Sequence, residues 1–202
     1  MNERARIAVL VSGGGTNLQA LIDAEARGEL KSGTIALVVS NVSEAYALER
    51  ARGAGIEALT LTRRGCGGRE AFEWQLQKVL LAHKINLIIL AGFRSILSKD
   101  FTDLWPERIL NIHPSLIPSF CGEGFYGLRV HSAALNYGVK VTGATVHFVN
   151  EIPDGGRIIL QKAVDIEPGD TPETLQRRVM EQAEWILLPR AAELVSKMIV
   201  GG

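Results

Sequence analysis

The chain has 202 residues, 47% of them apolar, and its 22 basic side chains are balanced by 22 acidic ones. That length suits one domain with a sizeable core, and the even charge excludes a scaffold that grips nucleic acid by neutralising phosphates. Two cysteines, Cys66 and Cys121, lack a Cys-x-x-Cys spacing, which argues against a disulfide framework and for a reducing, cytoplasmic setting. The first apolar run, Ile7 to Val11, is too short for a signal peptide or a membrane span, so no membrane partner is expected.

β-branched runs at 6–12, 34–40, 85–92 and 108–113 read as strands that are apolar on both faces, the mark of a parallel sheet covered on two sides. Between them, 17–27, 44–53 and 69–83 have helical patterns. Strands joined through helices imply right-handed crossovers and a Rossmann-like, doubly wound α/β sheet, mostly parallel, with helices on both faces. After residue 114 the pattern changes. A helix is expected at 131–137, and 140–149 and 157–166 read as an antiparallel C-terminal strand pair. A long helix over about 172–198 closes the chain, with Thr171 as its cap and Pro172 in its first position. Leu175, Val179, Ala183 and Ile186 are its expected apolar stripe, and Pro189 its expected kink. No repeat, low-complexity tract or linker interrupts the chain, so 1–202 is expected to be a single domain.

The segment "VSGGGTNLQALIDA" (11–24) passes from strand to helix through Gly13, Gly14 and Gly15. Thr16 is expected to cap that helix, with Gln19 completing a capping box. Free amides at a helix N-terminus suit a phosphate. A dinucleotide fingerprint would need a glycine at 18, where this chain has leucine, and the Walker lysine is missing too. A monophosphate therefore fits better than a dinucleotide, and a plain tight turn is the competing reading.

In "RILNIHPSLIPSF" (108–120), Asn111 and His113 lie two apart on a strand and share a face, before Pro114 ends it. Open α/β sheets bind ligands at the carboxyl ends of such strands. An amide beside an imidazole serves acyl transfer, one donating to a developing oxyanion and the other handling a proton. A buried hydrogen-bonded pair is the bland alternative. A carboxylate to orient His113 is offered by Asp154, with Glu151 as competitor, although Asp-Gly-Gly is also an ordinary turn. Thr145 and His147 share a face of a later strand, where His147 either meets the site or is a satisfied core residue. His131 opens the helix 131–137, where it either meets an anion or, as expected of most such histidines, is merely solvated, and His83 is expected to sit at a helix C-terminus. No His-x-His, His-x₃-His or His-Glu-x-x-His spacing occurs, so no metal is expected. Ser115 is not in a nucleophile elbow.

Taken together, "SGGGTNLQALID", "ILAGFRSILS", "LNIHPSLIPSF", "GATVHFV" and "DGGRIILQ", in this order and spacing, resemble the folate-dependent phosphoribosylglycinamide formyltransferases over about residues 5–195. The resemblance implies a formyltransferase domain with a phosphate-binding part at about 1–100 and a folate-binding, catalytic part at about 85–202. It implies 10-formyltetrahydrofolate as formyl donor, 5-phosphoribosylglycinamide as acceptor, and no nucleic-acid partner in a monomer or homodimer. By position, Asn111, His113 and Asp154 would be catalytic, with Asp154 keeping His113 protonated. Gly15, Thr16 and Asn17 would take the phosphoribosyl end, and Glu184 the ribose hydroxyls. The folate would lie against Arg94, Ser95, Ile96 and Leu97, the 150–154 loop (Asn150, Glu151, Ile152, Pro153), and Arg69. Many members have Met-Arg where this chain has Arg94-Ser95, "CGEGFYGLRVH" is longer than in some relatives, and Arg157 replaces a frequent proline.

Three rivals remain from the sequence. A formyltetrahydrofolate deformylase would share the trio but is expected to carry an N-terminal regulatory domain. A methionyl-tRNA formyltransferase would need an RNA-binding domain and a basic surface. A non-catalytic nucleotide-binding module would explain the glycine loop but not the trio.

Overall fold

Alternate residues of β1 (Ala5–Val11) go to opposite faces of the sheet, and both faces are covered. Ile7, Val9 and Val11 enter one apolar cluster, and Ala8 and Leu10 the other. The structure is a computed structural model that describes residues 4–201. The remaining strands are β2 (Gly33–Ser40), β3 (Ala58–Thr60), β4 (Leu87–Leu90), β5 (Ile109–His113), β6 (Val141–Phe148) and β7 (Ile158–Asp165). They form one seven-stranded sheet in the order β3-β2-β1-β4-β5-β6-β7. Pairing is parallel from β3 to β5 and antiparallel for β5–β6 and β6–β7. The doubly wound expectation and the antiparallel C-terminal pair both hold. The three-residue edge strand β3 is an addition, too short to show a pattern of its own.

The helices are α1 (Thr16–Ala26), α2 (Tyr46–Gly53), α3 (Arg63–Cys66), α4 (Arg69–Ala82), α5 (Lys99–Asp103), α6 (Leu128–Tyr137), α7 (Pro172–Val179) and α8 (Trp185–Gly201). Leu18 and Leu21 of α1, Ala47 and Ala51 of α2, and Leu187, Leu188 and Val195 of α8 cover one face. Phe72, Leu76 and Leu80 of α4 and Phe101 of α5 cover the other. After β1 the chain winds outward through β2 and β3, then returns to add β4 on the other side of β1. That reversal opens a crevice at the carboxyl ends of β1 and β4, where open α/β sheets take ligands.

The C-terminal helix departs from expectation in its middle. Thr171 caps it in a reciprocal box with Thr174. Residues Met180–Glu184 then form a π-turn, and Pro189 lies inside α8. The wider turn absorbs about one extra residue. The apolar stripe therefore runs Leu175, Val179, Ala183, Leu187, while Ile186 is turned outward at 38% exposure. The departure from α geometry lies at 180–184, ending next to Trp185, whose carbonyl the proline nitrogen cannot serve.

Candidate active site

Asn111 and His113 point to one side of β5, and the antiparallel register sets His147 opposite Asn111 and Thr145 opposite His113. Asp154 comes from the loop between β6 and β7, in a left-handed conformation (φ 56°) that aspartate tolerates better than most residues. Gly156 allows that turn, because a Cβ there would lie 1.7 Å from the Phe148 carbonyl oxygen. The Asp154 carboxylate reaches His113 Nδ1 at 3.4 Å and His147 Nε2 at 3.5 Å. It accepts from Asn111 Nδ2 at 3.3 Å and from the Gly122 amide at 2.9 Å. Glu151, the competing acid, is exposed. The structure thus brings Asn111, His113 and Asp154 together and adds His147, which also meets Asn111 Nδ2 at 3.2 Å.

The long segment after Pro114 folds back over this cluster. Thr145 Oγ1 donates to the Ser115 carbonyl at 2.7 Å and accepts from the Ile117 amide at 3.1 Å. Gln161 Nε2 donates to the Ile117 carbonyl at 3.1 Å. So anchored, the segment lays the Phe120 carbonyl on His113 Nε2 at 2.9 Å and the Gly122 amide on Asp154. His113 is left 4% exposed. Burial pushes its pKa below the ordinary 6.5, outweighing the Asp154 carboxylate that pulls it up. Desolvation thus opposes the imidazolium that the resemblance implies and biases the free ring toward its neutral form. Both nitrogens nonetheless face acceptors, Asp154 and Phe120, so a neutral ring with one proton leaves one of them unmatched. Asp154 is raised by burial, but the His147 hydrogen bond, His113 and the Gly122 amide bring it net below its usual value. It is a carboxylate at neutral pH.

His131 corrects another expectation. The helix α6 starts at Leu128, after Gly127, so His131 lies one turn in, on the inward stripe with Val130 and Ala134. It is fully buried rather than solvated, neither ring nitrogen has a partner among the described residues, and burial holds its pKa at about 4. His83 caps α4 as expected, with Nδ1 at 2.7 Å from the Val79 carbonyl.

At the other end of the crevice, Gly15 is the N-cap of α1 with φ 74°, and a Cβ there would sit 2.6 Å from the Ala47 Cβ. The expected Thr16 cap and its capping box are absent. Thr16 is already the first helical residue, and Gln19 bonds Asp23 and Arg50 instead. Among the described residues the amides of Gly13 to Asn17 meet no acceptor. This is the arrangement of a helix N-terminus open to an anion. Beside it, Asn17 Nδ2 donates to Glu184 Oε2 at 2.7 Å, while Asn17 Oδ1 is buried without a partner. The π-turn aims Glu184 into this spot, where burial raises its pKa from 4.5 to about 6.

The segment 94–97 follows β4, with Leu97 in the same apolar cluster as Val149. Ser98 bonds the buried Glu73 carboxylate, which also meets Arg69 Nε at 3.3 Å, so Arg69 stands exposed beside this segment. Arg94 turns back, donating to the Ser12 carbonyl at 3.0 Å, and Ser95 Oγ accepts from Asn41 at 2.7 Å. Asn150 caps its own loop through the Ile152 amide, and Glu151, Ile152 and Pro153 are exposed. Among the described residues no group of three His, Cys, Asp or Glu side chains is placed to hold a metal ion, and no helix is long and apolar enough to cross a membrane.

Fold and cluster define the class first: a doubly wound α/β protein whose switch-point crevice joins an open amide loop to an amide–imidazole–carboxylate group. The formyl transferase family profile matches residues 5–191, and the chain belongs to that family. It is 42% identical over 176 residues to the phosphoribosylglycinamide formyltransferase of Escherichia coli (strain K12), covering 87% of this chain and 80% of that one. It is 44% identical over 194 residues to the trifunctional purine biosynthetic protein adenosine-3 of Homo sapiens, covering 96% of this chain but spanning only 18% of that protein. The glycinamide ribonucleotide transformylase 1 of Symbiobacterium toebii has the same fold, with a TM-score of 0.90 at 42% identity, over 96% of this chain and 89% of that structure.

Proposed function

We propose that this chain transfers the formyl group of 10-formyltetrahydrofolate to the amine of 5-phosphoribosylglycinamide, giving the N-formyl product and tetrahydrofolate, a step of purine (IMP) biosynthesis in the cytoplasm. The observation that carries the reading is the convergence of Asn111, His113 and Asp154 at one end of a crevice whose other end is a loop of unused amides. The phosphate goes to Gly15, Thr16 and Asn17, and the ribose hydroxyls to Glu184. The folate lies along Arg94 to Leu97, Asn150 to Pro153, and Arg69. The part at about 1–100 serves the phosphate, and that at about 85–202 the folate and the chemistry.

The amine nitrogen forms the new C–N bond as the carbonyl electrons move to oxygen. Asn111 and His113 donate to that oxygen, the formyl oxygen replacing the Phe120 carbonyl at His113 Nε2. Each such donor contributes roughly 3 kcal/mol. A negative oxygen beside the imidazole raises its proton affinity, so as charge develops the ring takes, by way of Asp154 and water, the proton that the attacking amine sheds. This resolves the mismatch of the resting site, where two acceptors face one proton. The same proton leaves the ring and passes through Asp154 and water to the folate nitrogen as its bond to the formyl carbon breaks.

The test is release of tetrahydrofolate with and without 5-phosphoribosylglycinamide. Release only with the acceptor is expected. Equal release without it makes the protein a hydrolase, and no release in either case makes it a binding module; both overturn the reading.

A further inference from the structure

The glycine loop is held from behind by the guanidiniums of Arg50 and Arg94 and by the Ala47 amide. Three consecutive carbonyls are tied back: Ser12 by the Arg94 guanidinium at 3.0 Å, Gly13 by the Ala47 amide at 3.0 Å, and Gly14 by Arg50 Nε at 2.8 Å. In a planar trans peptide the next residue's N–H points opposite to the carbonyl. The amides of Gly13, Gly14 and Gly15 are therefore turned away from these anchors, and none of them meets an acceptor among the described residues.

Both arginines are fixed in place. Arg50 also donates to Gln19 Oε1 at 2.9 Å and lies 5.1 Å from the Tyr46 ring centroid. The Arg94 amide donates to Ser12 Oγ at 2.9 Å, which donates to Asn41 at 2.6 Å, which in turn holds Ser95. Any neutral donor would satisfy a carbonyl. Two guanidiniums do more, because among the described residues neither has a carboxylate within 4.0 Å. Their charge thus has no carboxylate partner and stands behind a loop of open amides. An anion at the loop would supply the balance.

We propose that Arg50 and Arg94 are positioning residues of the phosphate loop: they hold its carbonyls back, keep its amides open, and make the site prefer a phosphate dianion to an uncharged terminus. This rests on the acceptor reading above and extends it to Arg50, which no step above uses, and to the guanidinium of Arg94, which is turned from the folate segment toward the loop. It also gives the displaced arginine of the Arg94-Ser95 pair a role at the acceptor end.

The experiment uses the full chain with Arg50→Gln, Arg94→Gln and Arg50→Lys. Acceptor KM and kcat, formyl-donor KM, and the affinity for inorganic phosphate by calorimetry are measured. Each Gln variant is expected to raise acceptor KM and weaken phosphate binding about tenfold, the scale of one charge-assisted hydrogen bond; in Arg50→Gln kcat and donor KM stay little changed, whereas Arg94→Gln, at the folate border, is read by phosphate affinity alone. Lysine at 50 restores charge but cannot bridge Gly14 and Gln19 together, so it recovers part of the loss. Unchanged phosphate affinity in both Gln variants, or in Arg50→Gln a rise in donor KM equal to that in acceptor KM, overturns the inference. Should one Gln variant fail to fold, phosphate affinity of the other decides. Wild-type protein that binds phosphate yet transfers no formyl group sinks the formyl-transfer reading instead, and the phosphate affinities of the variants still decide the arginines' role.

Discussion

The two ends of the crevice are built from different materials. The proposed reaction centre is made of side chains: Asn111, His113 and His147 on paired strands, with Asp154 on a loop braced by Gly156. The proposed phosphate end is made of backbone: amides from Gly13 to Asn17, shaped by one left-handed glycine and by groups standing behind them. Side-chain deletion therefore strikes the first end directly. The second end has few side chains to delete, so it fails through its backbone shape.

The largest effects are expected at the side-chain end. His113→Ala or Asp154→Asn should lower kcat by about 10²–10³, the scale of a lost oxyanion donor, with acceptor KM nearly unchanged. His147→Ala should cost about tenfold in kcat, because Asn111 and Asp154 each lose a partner that orients them. Steady-state kinetics with both substrates varied would check the ranking. Near wild-type turnover in His113→Ala would remove the basis for calling this end the reaction centre.

A smaller effect, of a different kind, is expected at the backbone end. Gly15→Ala places a Cβ 2.6 Å from that of Ala47 in a left-handed conformation. The strain is of order 1–3 kcal/mol, and the loop must shift to relieve it. Acceptor KM should rise with kcat kept, and the thermal midpoint should fall. Gly14→Ala meets nothing within 4 Å and should leave the midpoint in place. Equal midpoints for the two variants would show that the loop is softer than the close approach of α2 implies.

The same contrast explains what the sequence disclosed. The β-branched runs announced the sheet, and the two-residue spacing of Asn111 and His113 put them on one face before any register was known. His147 was legible as an alternative, since Thr145 and His147 share a face, but only the antiparallel register sets it opposite Asn111. The Ile186 stripe failed because a π-turn carries no pattern of its own and shifts every later residue. His131 was misjudged because a helix start three residues earlier turns an end position into a buried one. The resting charge of His113 depends on a loop carbonyl and on near-complete burial, which are properties of the folded segment 115–122 rather than of local spacing.

The smallest expected effect lies where the two materials meet, at Glu184. Its pKa is raised from 4.5 to about 6 by burial, with Asn17 pulling the other way. A carboxyl whose folded pKa is raised adds stability that is fully present below the unfolded value and lost as pH rises through the folded one. At about 1.36 kcal/mol per unit, the ionised group costs roughly 2 kcal/mol at neutral pH. Wild type minus Glu184→Gln should therefore lose roughly 2 kcal/mol of unfolding free energy between pH 4.5 and 7, a comparison in which the other titrating groups cancel. Acceptor binding should run the other way: ribose hydroxyls donate to the charged carboxylate, so acceptor KM falls more steeply as pH rises through about 6 in the wild type than in the Gln variant, where only the acceptor phosphate's own second ionisation acts. Denaturant unfolding and acceptor KM across that range are the measurements. A constant stability difference would mean that Glu184 titrates normally. A KM profile shared by both proteins would take the ribose away from this residue.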